Sequence, residues 1–254
     1  MTFIASFYLL AASLTPQEAM SIGVRVWQNE CGGTLDGLTS WNEQEEFASL
    51  GIGHFIWYPH NKRGPFAETF PELLQFLQEQ KTEMPRWLEE ARGCPWKTRE
   101  QFLSALRQQS KQMMELRKLL KNTVGLQAQF LEKRLDQALP ALIKNAPEEK
   151  KELIQNRFER IRNHPNGTFA LLDYVNFKGY GTAASERYDG WGWGLYQVLD
   201  EMPDEPSSDP LEEFVATARA ILERRVKNAP LIRNEQRYLQ GWIFRLDTYL
   251  QKYY

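Results

Sequence analysis

Apolar residues recur at helical spacing through most of the chain. From Gln17 to Asn29 they fall at Ala19, Met20, Ile22, Val24, Val26 and Trp27. Thr15 suits the N-cap, Pro16 suits the first helical position, and Gly32 and Gly33 stop the helix. Residues 35–49 are polar and loop-like, with at most one helical turn around Trp41, Glu43, Glu45, Glu46 and Phe47. Leu50 to Tyr58 reads as strand, and its glycines mark a bend or a close backbone approach. Helical spacing resumes over Phe70 to Gln80 and briefly over Pro85 to Ala91.

From Thr98 an apolar stripe through Phe102, Leu103, Leu106, Met113, Leu116, Leu119 and Leu120 predicts one long helix. Thr98 and Gln101 have the spacing of a capping box. Gln127 to Leu142 predicts a second helix, and Pro147 opens a third that ends near His164. Further helices end at Gly179, begin near Gly194, run from Pro210 to about Val226, and span roughly Asn234 to Tyr253. The last places Tyr238, Leu239, Trp242, Ile243, Leu246 and Leu250 on one apolar face. The fold class is therefore mainly α, with a small β-hairpin near Ser49 to Tyr58. The expected layout is one domain over residues 17–254 carrying a helical insertion at about 98–164.

The opening segment, residues 1–16, stands apart. Phe3 to Ser13 has the length and apolarity of a secretory signal core, with small residues at Ala11 to Ser13. It lacks the charged leader, since the first basic residue is Arg25. Two readings stay open: an export signal, placing the protein in the periplasm or outside the cell, or the N-terminal segment of a cytoplasmic fold. Cys31 and Cys94 are the two cysteines, and a bridge between them is expected only with export. No stretch reaches membrane-spanning length.

Charge and motif spacing narrow the chemistry. A net charge of -2 gives no basic field for nucleic acid. His54, His60 and His164 lack metal-ligand spacing, so no metal is expected. There is no G-x-S-x-G, no obvious histidine partner for either cysteine and no phosphate-binding glycine loop, so no cofactor is expected. Carboxylate chemistry remains. Glu30 lies in the last turn of its helix or just beyond, where the helix dipole disfavours ionisation. Its pKa is expected to tend upward, as suits a general acid. Glu43, Glu45 and Glu46 follow in the loop, and at least two of them are expected to be solvated charges. A second unusual stretch, Phe169 to Met202, holds Glu186, Arg187, Tyr188 and the alternation Gly190-Trp191-Gly192-Trp193-Gly194. Such glycine use is costly unless the backbone passes close to something.

The order Glu30, glycine-containing loop, then Ser49-Leu50-Gly51-Ile52-Gly53-His54 resembles the signature of phage-type lysozymes. The resemblance covers about Ile22 to Pro59, with Ser in place of the family's Thr and Glu in place of its Asp. It implies a lysozyme-like domain that cleaves a peptidoglycan-type β-1,4 glycan. On it, Glu30 falls on the general acid, Ser49 on the catalytic-region Thr, and Glu43 on the second carboxylate, with Glu46 as rival. Gly51 to His54 match the G-I-G-H run, and His54 is placed at the substrate cleft. Gly192 to Gln197, G-W-G-L-Y-Q, is similar to the G-L-M-Q of lysozyme-like lytic transglycosylases, which places Gln197 toward substrate. Glu186 and Tyr188 are candidates to complete that wall, although an ordinary ion pair is the stronger reading of Glu186. Two non-enzymatic alternatives remain: a glycan-binding protein that keeps the cleft, and a helical interaction protein whose Trp191 and Trp193 are both buried. The oligomeric state is left open.

Overall fold

A computed structural model describes residues 13–205 and 209–252. The signal-like run and its cleavage region therefore lie almost wholly outside the described residues. The chain is mainly helical with a small antiparallel sheet. Helix α1 spans Pro16–Cys31. Thr15 Oγ1 accepts from the Glu18 amide while Glu18 accepts from the Thr15 amide, a complete capping box. Gly32, in the left-handed region at φ 61°, closes its other end.

A three-stranded sheet follows, of β1 (Thr39–Ser40), β2 (Ala48–Leu50) and β3 (Phe55–Trp57), in the order β1-β2-β3. The hairpin expected near Ser49 to Tyr58 is β2 and β3, and β1 adds a third strand: Ser49 pairs with Ile56 in the next strand and Ser40 in the previous one. Next come α2 (Phe70–Glu79), α3 (Arg86–Glu89), α4 (Arg99–Arg107), α5 (Lys111–Asn122) and α6 (Val124–Asn145). The single helix expected from Thr98 is two: Gln109 adopts φ 49°, and Ser110 caps α5 through the Met113 amide. Both helices still bury members of the apolar stripe, Phe102 in α4 and Met113, Leu116, Leu119 and Leu120 in α5. Thr98 accepts from the Gln101 amide, but Gln101 reaches the Lys97 amide rather than closing a full box.

Helix α7 spans Lys151–Arg162 and α8 spans Gly167–Lys178. A short β4–β5 hairpin (Arg187–Tyr188 with Trp191–Gly192) precedes α9 (Leu195–Glu201), α10 (Pro210–Asn228) and α11 (Gln236–Asp247). Helix α8 is buried nearly all round, with Phe169 to Tyr174 enclosed on successive positions, as a central helix requires. Helix α1 packs chiefly along α6. They meet so closely that a Cβ on Gly23 would lie 2.7 Å from the Val124 carbonyl oxygen.

The buried apolar side chains form one cluster from Ala19 to Tyr249. Helix α11 departs from its predicted core face. Of that face Leu246 is buried, but Tyr238 and Leu250 are exposed, and Leu239, Trp242 and Ile243 are half-buried. It lies over the surface near the ends of α1 and α8, and it buries Arg245 as fully as any of its apolar residues except Leu246. Both cysteines are free and buried, so the bridge tied to export is not formed. Among the described residues no helix is long and apolar enough to cross a membrane, and no group of three or more His, Cys, Asp or Glu side chains is placed to hold a metal.

Candidate active site

Glu30 sits in the last turn of α1, its side chain 14% exposed. Three elements converge on it. From α11, Arg245 Nη2 donates to Oε1 at 2.6 Å. From α8, Asn176 Nδ2 donates to the same oxygen at 2.8 Å. From the turn between β2 and β3, His54 Nδ1 stands 3.7 Å from Oε2.

The expected rise in the Glu30 pKa is overturned. Burial does push it up, and strongly. The Arg245 guanidinium, the Asn176 amide and His54 together outweigh it and hold the carboxyl below its ordinary value. The helix dipole is a weaker influence than a guanidinium in direct contact.

Arg245 is itself held from the other side. Its Nε and Nη2 reach the two oxygens of Asp173, at 2.7 and 2.9 Å. Asp173 is wholly buried on α8 and also accepts from the Tyr249 hydroxyl at 2.7 Å. Asn29 bridges Asp173 and Thr248. The guanidinium is thus fixed between two carboxylates, one buried and one at the edge of solvent.

The turn bearing His54 is built by close contacts. Gln127 on α6 is fully buried; its Oε1 accepts from the Ile52 amide at 2.9 Å, and its amide group donates to the Leu120 carbonyl. A Cβ on Gly51 would sit 2.3 Å from that same Oε1, and one on Gly53 would meet the Phe55 ring at 2.8 Å and Asn176 Oδ1 at 3.2 Å. The spacing of the two glycines thus answers to two facing side chains. His54 follows at φ 49°, swinging its ring back toward Glu30.

His54 Nε2 also lies 3.5 Å from Cys31 Sγ, which puts a thiol, an imidazole and a carboxylate in line. That order is the one a nucleophilic triad needs. The thiol argues against it: burial and the Glu30 charge push Cys31 up to about 12, and its S–H has the Gly51 carbonyl as acceptor. Cys31 acts here as a buried strut beneath His54.

The other sequence candidates are placed differently. Ser49 is buried within β2. Glu43 is exposed and 3.8 Å from Arg99, and Glu46 is exposed and 3.7 Å from Lys62; neither meets a partner of Glu30. Gln197 is buried and its side-chain amide is engaged within its own loop. It accepts from the Gly194 amide and donates to the Gly181 carbonyl, both at 3.0 Å. Glu186 makes no ion pair with Arg187; it accepts from the Ala183 amide and packs against Gly179. The Tyr188 hydroxyl donates to Glu235, which Arg225 grips with two bonds. The glycine- and tryptophan-rich stretch therefore folds on itself and on α10 instead of forming an opposite wall to Glu30. Trp193 is buried but Trp191 is 52% exposed, against the reading that needs both enclosed.

A groove of about 370 Å³ opens beside the site, lined in part by Gln28, Asn29, Phe177, Tyr238, Trp242 and Arg245. The Tyr238 and Trp242 rings lie nearly parallel, 6.1 Å apart at 19°. Flat rings flanked by amide and guanidinium groups can stack on a flat ligand face and hydrogen-bond its polar edge. Three residues that sequence reasoning passed over carry this region: Asn176, Arg245 and Lys178. A signal for two of them exists, since Asn176 and Lys178 interrupt the apolar run that ends at Gly179.

No protein-family model, curated protein or solved structure matches the chain.

Proposed function

We propose that the chain cleaves a peptidoglycan-type β-1,4 glycan, with Glu30 as the acid–base residue of a lysozyme-like site. The observation that carries this is a meeting of parts. The two ends of the lysozyme-like signature, 24 residues apart by their numbers (54 − 30), come together as His54 Nδ1 at 3.7 Å from Glu30 Oε2. The adjoining groove supplies an aromatic platform for a sugar chain.

Glu30 rests ionised under the influence of Arg245. A glycan seated over it removes the remaining water and strengthens desolvation, the influence that favours the protonated form. The carboxyl then takes up a proton and delivers it to the glycosidic oxygen as the bond breaks. Glu43 and Glu46 pair with Arg99 and Lys62, so neither candidate for the second carboxylate is at hand, and Asp173 is fully buried behind Arg245. This favours the one-acid route, in which the sugar's own hydroxyl closes on the anomeric carbon, over two-carboxylate hydrolysis.

Glu30→Gln is expected to lower the clearing of cell-wall sacculi by about 100-fold or more, the usual scale of a lost acid–base group. Unchanged clearing would remove Glu30 from the mechanism. Product masses separate the routes: anhydro ends weigh one water less than reducing ends. The Glu30–Arg245 ion pair also favours a second reading, a glycan-binding protein without cleavage. Sacculus binding by parent and Glu30→Gln alike, with no clearing by either, selects it.

A further inference from the structure

Lys178 is the last residue of α8 and is 7% exposed. Its Nζ lies 3.4 Å from the centroid of the Trp242 ring and 3.8 Å from that of Phe177. No hydrogen bond or ion pair to this amine is found among the described residues. An ammonium carries three N–H donors, and two ring faces receive its charge without accepting all three.

The charged groups around it are disposed against a cation. The Arg245 guanidinium stands 4.2 Å from the Phe177 centroid, and that of Arg225 stands 4.9 Å from the Trp242 centroid. The carboxylates that face it, Glu30 and Glu235, are already bonded to those same guanidiniums. Burial, Arg225 and Arg245 hold the amine well below the usual lysine range. Desolvation next to cationic groups is a recognised way to make a lysine nucleophilic at neutral pH.

The groove beside Glu30 reaches the amine's neighbours: Phe177 and Trp242, the rings against which Nζ lies, both line it. Gly241 lines the groove too, inside α11, where a Cβ would meet nothing within 4 Å. A glycine there costs the helix about 1 kcal/mol relative to alanine with no packing reason, and leaves open space on the groove lining.

We propose that Lys178 is a carbonyl-reactive amine that condenses with a small aldehyde entering from this groove. The Nζ lone pair forms a bond to the carbonyl carbon, and the C=O π pair moves to oxygen. Proton transfer from nitrogen to oxygen gives a carbinolamine. Loss of the hydroxyl with a proton, as water, leaves a C=N imine. Amine and aldehyde become imine and water, with no net redox change. The inference stands apart from the glycan reading, since it does not use proton donation by Glu30.

The test uses the full chain, glycolaldehyde as the aldehyde and cyanoborohydride to reduce any imine, with labelled lysines located by peptide mass. Lys111, with a side chain 88% exposed, is the internal reference. At about neutral pH, Lys178 is expected to label about tenfold faster than Lys111, with the ratio growing as pH is lowered and surface amines protonate. Labelling of Lys178 no faster than Lys111, or a ratio that stays flat with pH, overturns the proposal. Gly241→Leu fills the groove from an open position. It is expected to slow Lys178 labelling about tenfold while leaving Lys111 unchanged. Unslowed labelling of Lys178 in that variant overturns the entry route.

Discussion

Arg245 decides the chemistry of the site more than any other residue. It binds a carboxylate at the solvent edge and another in full burial with a single guanidinium, which only arginine's fixed fork of donors can do. Arg245→Met would strand Asp173, and removing one partner of a buried pair costs about 3–5 kcal/mol. We expect a loss of that order in urea unfolding, together with a rise of the Glu30 pKa, because its largest lowering influence is gone. A titration that finds Glu30 unmoved in the variant would contradict this account of its ionisation. The sequence marks Glu30 through its position at a helix end and through the Ser49–His54 run. It misleads on the sign of the pKa shift, because Arg245 lies 215 positions away and chain-local reasoning sees only the dipole. Arg245 itself is hidden in the sequence: it falls in the apolar period of α11, where a cation reads as a solvated interruption.

Elements explain what single residues do not. The loop from Gly179 to Gly194 looks like a substrate wall in sequence because glycine, tyrosine and tryptophan alternate. Gly181, Gly192 and Gly194 are instead required by the loop's own closure. A Cβ on Gly194 would lie 2.1 Å from the Gly181 nitrogen, and one on Gly181 would lie 1.9 Å from Gln197 Oε1. Gln197 closes the loop by bonding across it, and the Tyr174 hydroxyl adds a bond to the Trp193 carbonyl. Gln197→Ala leaves the buried Gly194 N–H without its partner and the Gly181 carbonyl with only the longer bond from Arg187, at a cost of about 1–3 kcal/mol. Faster hydrogen exchange at Gly194, with α1 unaffected, is the expected signature; unchanged exchange would return Gln197 to the list of surface-facing groups. Helix existence was legible throughout, because 3.6-residue periodicity survives local breaks. The α4–α5 break was not, since Gln109 has no special preference for positive φ and only Ser110 hints at a cap.

At the scale of the molecule, charge state and chain order matter most. Glu30 and Glu235 are both held below their ordinary value of 4.5, mainly by Arg245 and Arg225 against the opposing effect of burial. A carboxylate with a depressed folded pKa contributes stability that is present above 4.5 and is lost as pH falls through the folded value. Thermal midpoints are therefore expected to hold near neutrality and to drop as pH falls below about 4.5. A midpoint that rises on acidification would mean that neither carboxylate is ion-paired in solution. The mainly helical class was readable from the sequence, whereas the assembly of the site was not, because its parts come from α1, the β2–β3 turn, α8 and α11. That dispersal has a consequence during synthesis. A growing chain makes Glu30 early, with the first described helix, but Arg245 only with α11, after every other described helix. Until α11 docks, Glu30 has no guanidinium and Asp173 no counterion, so the charge network around Glu30 closes only once α11 is in place.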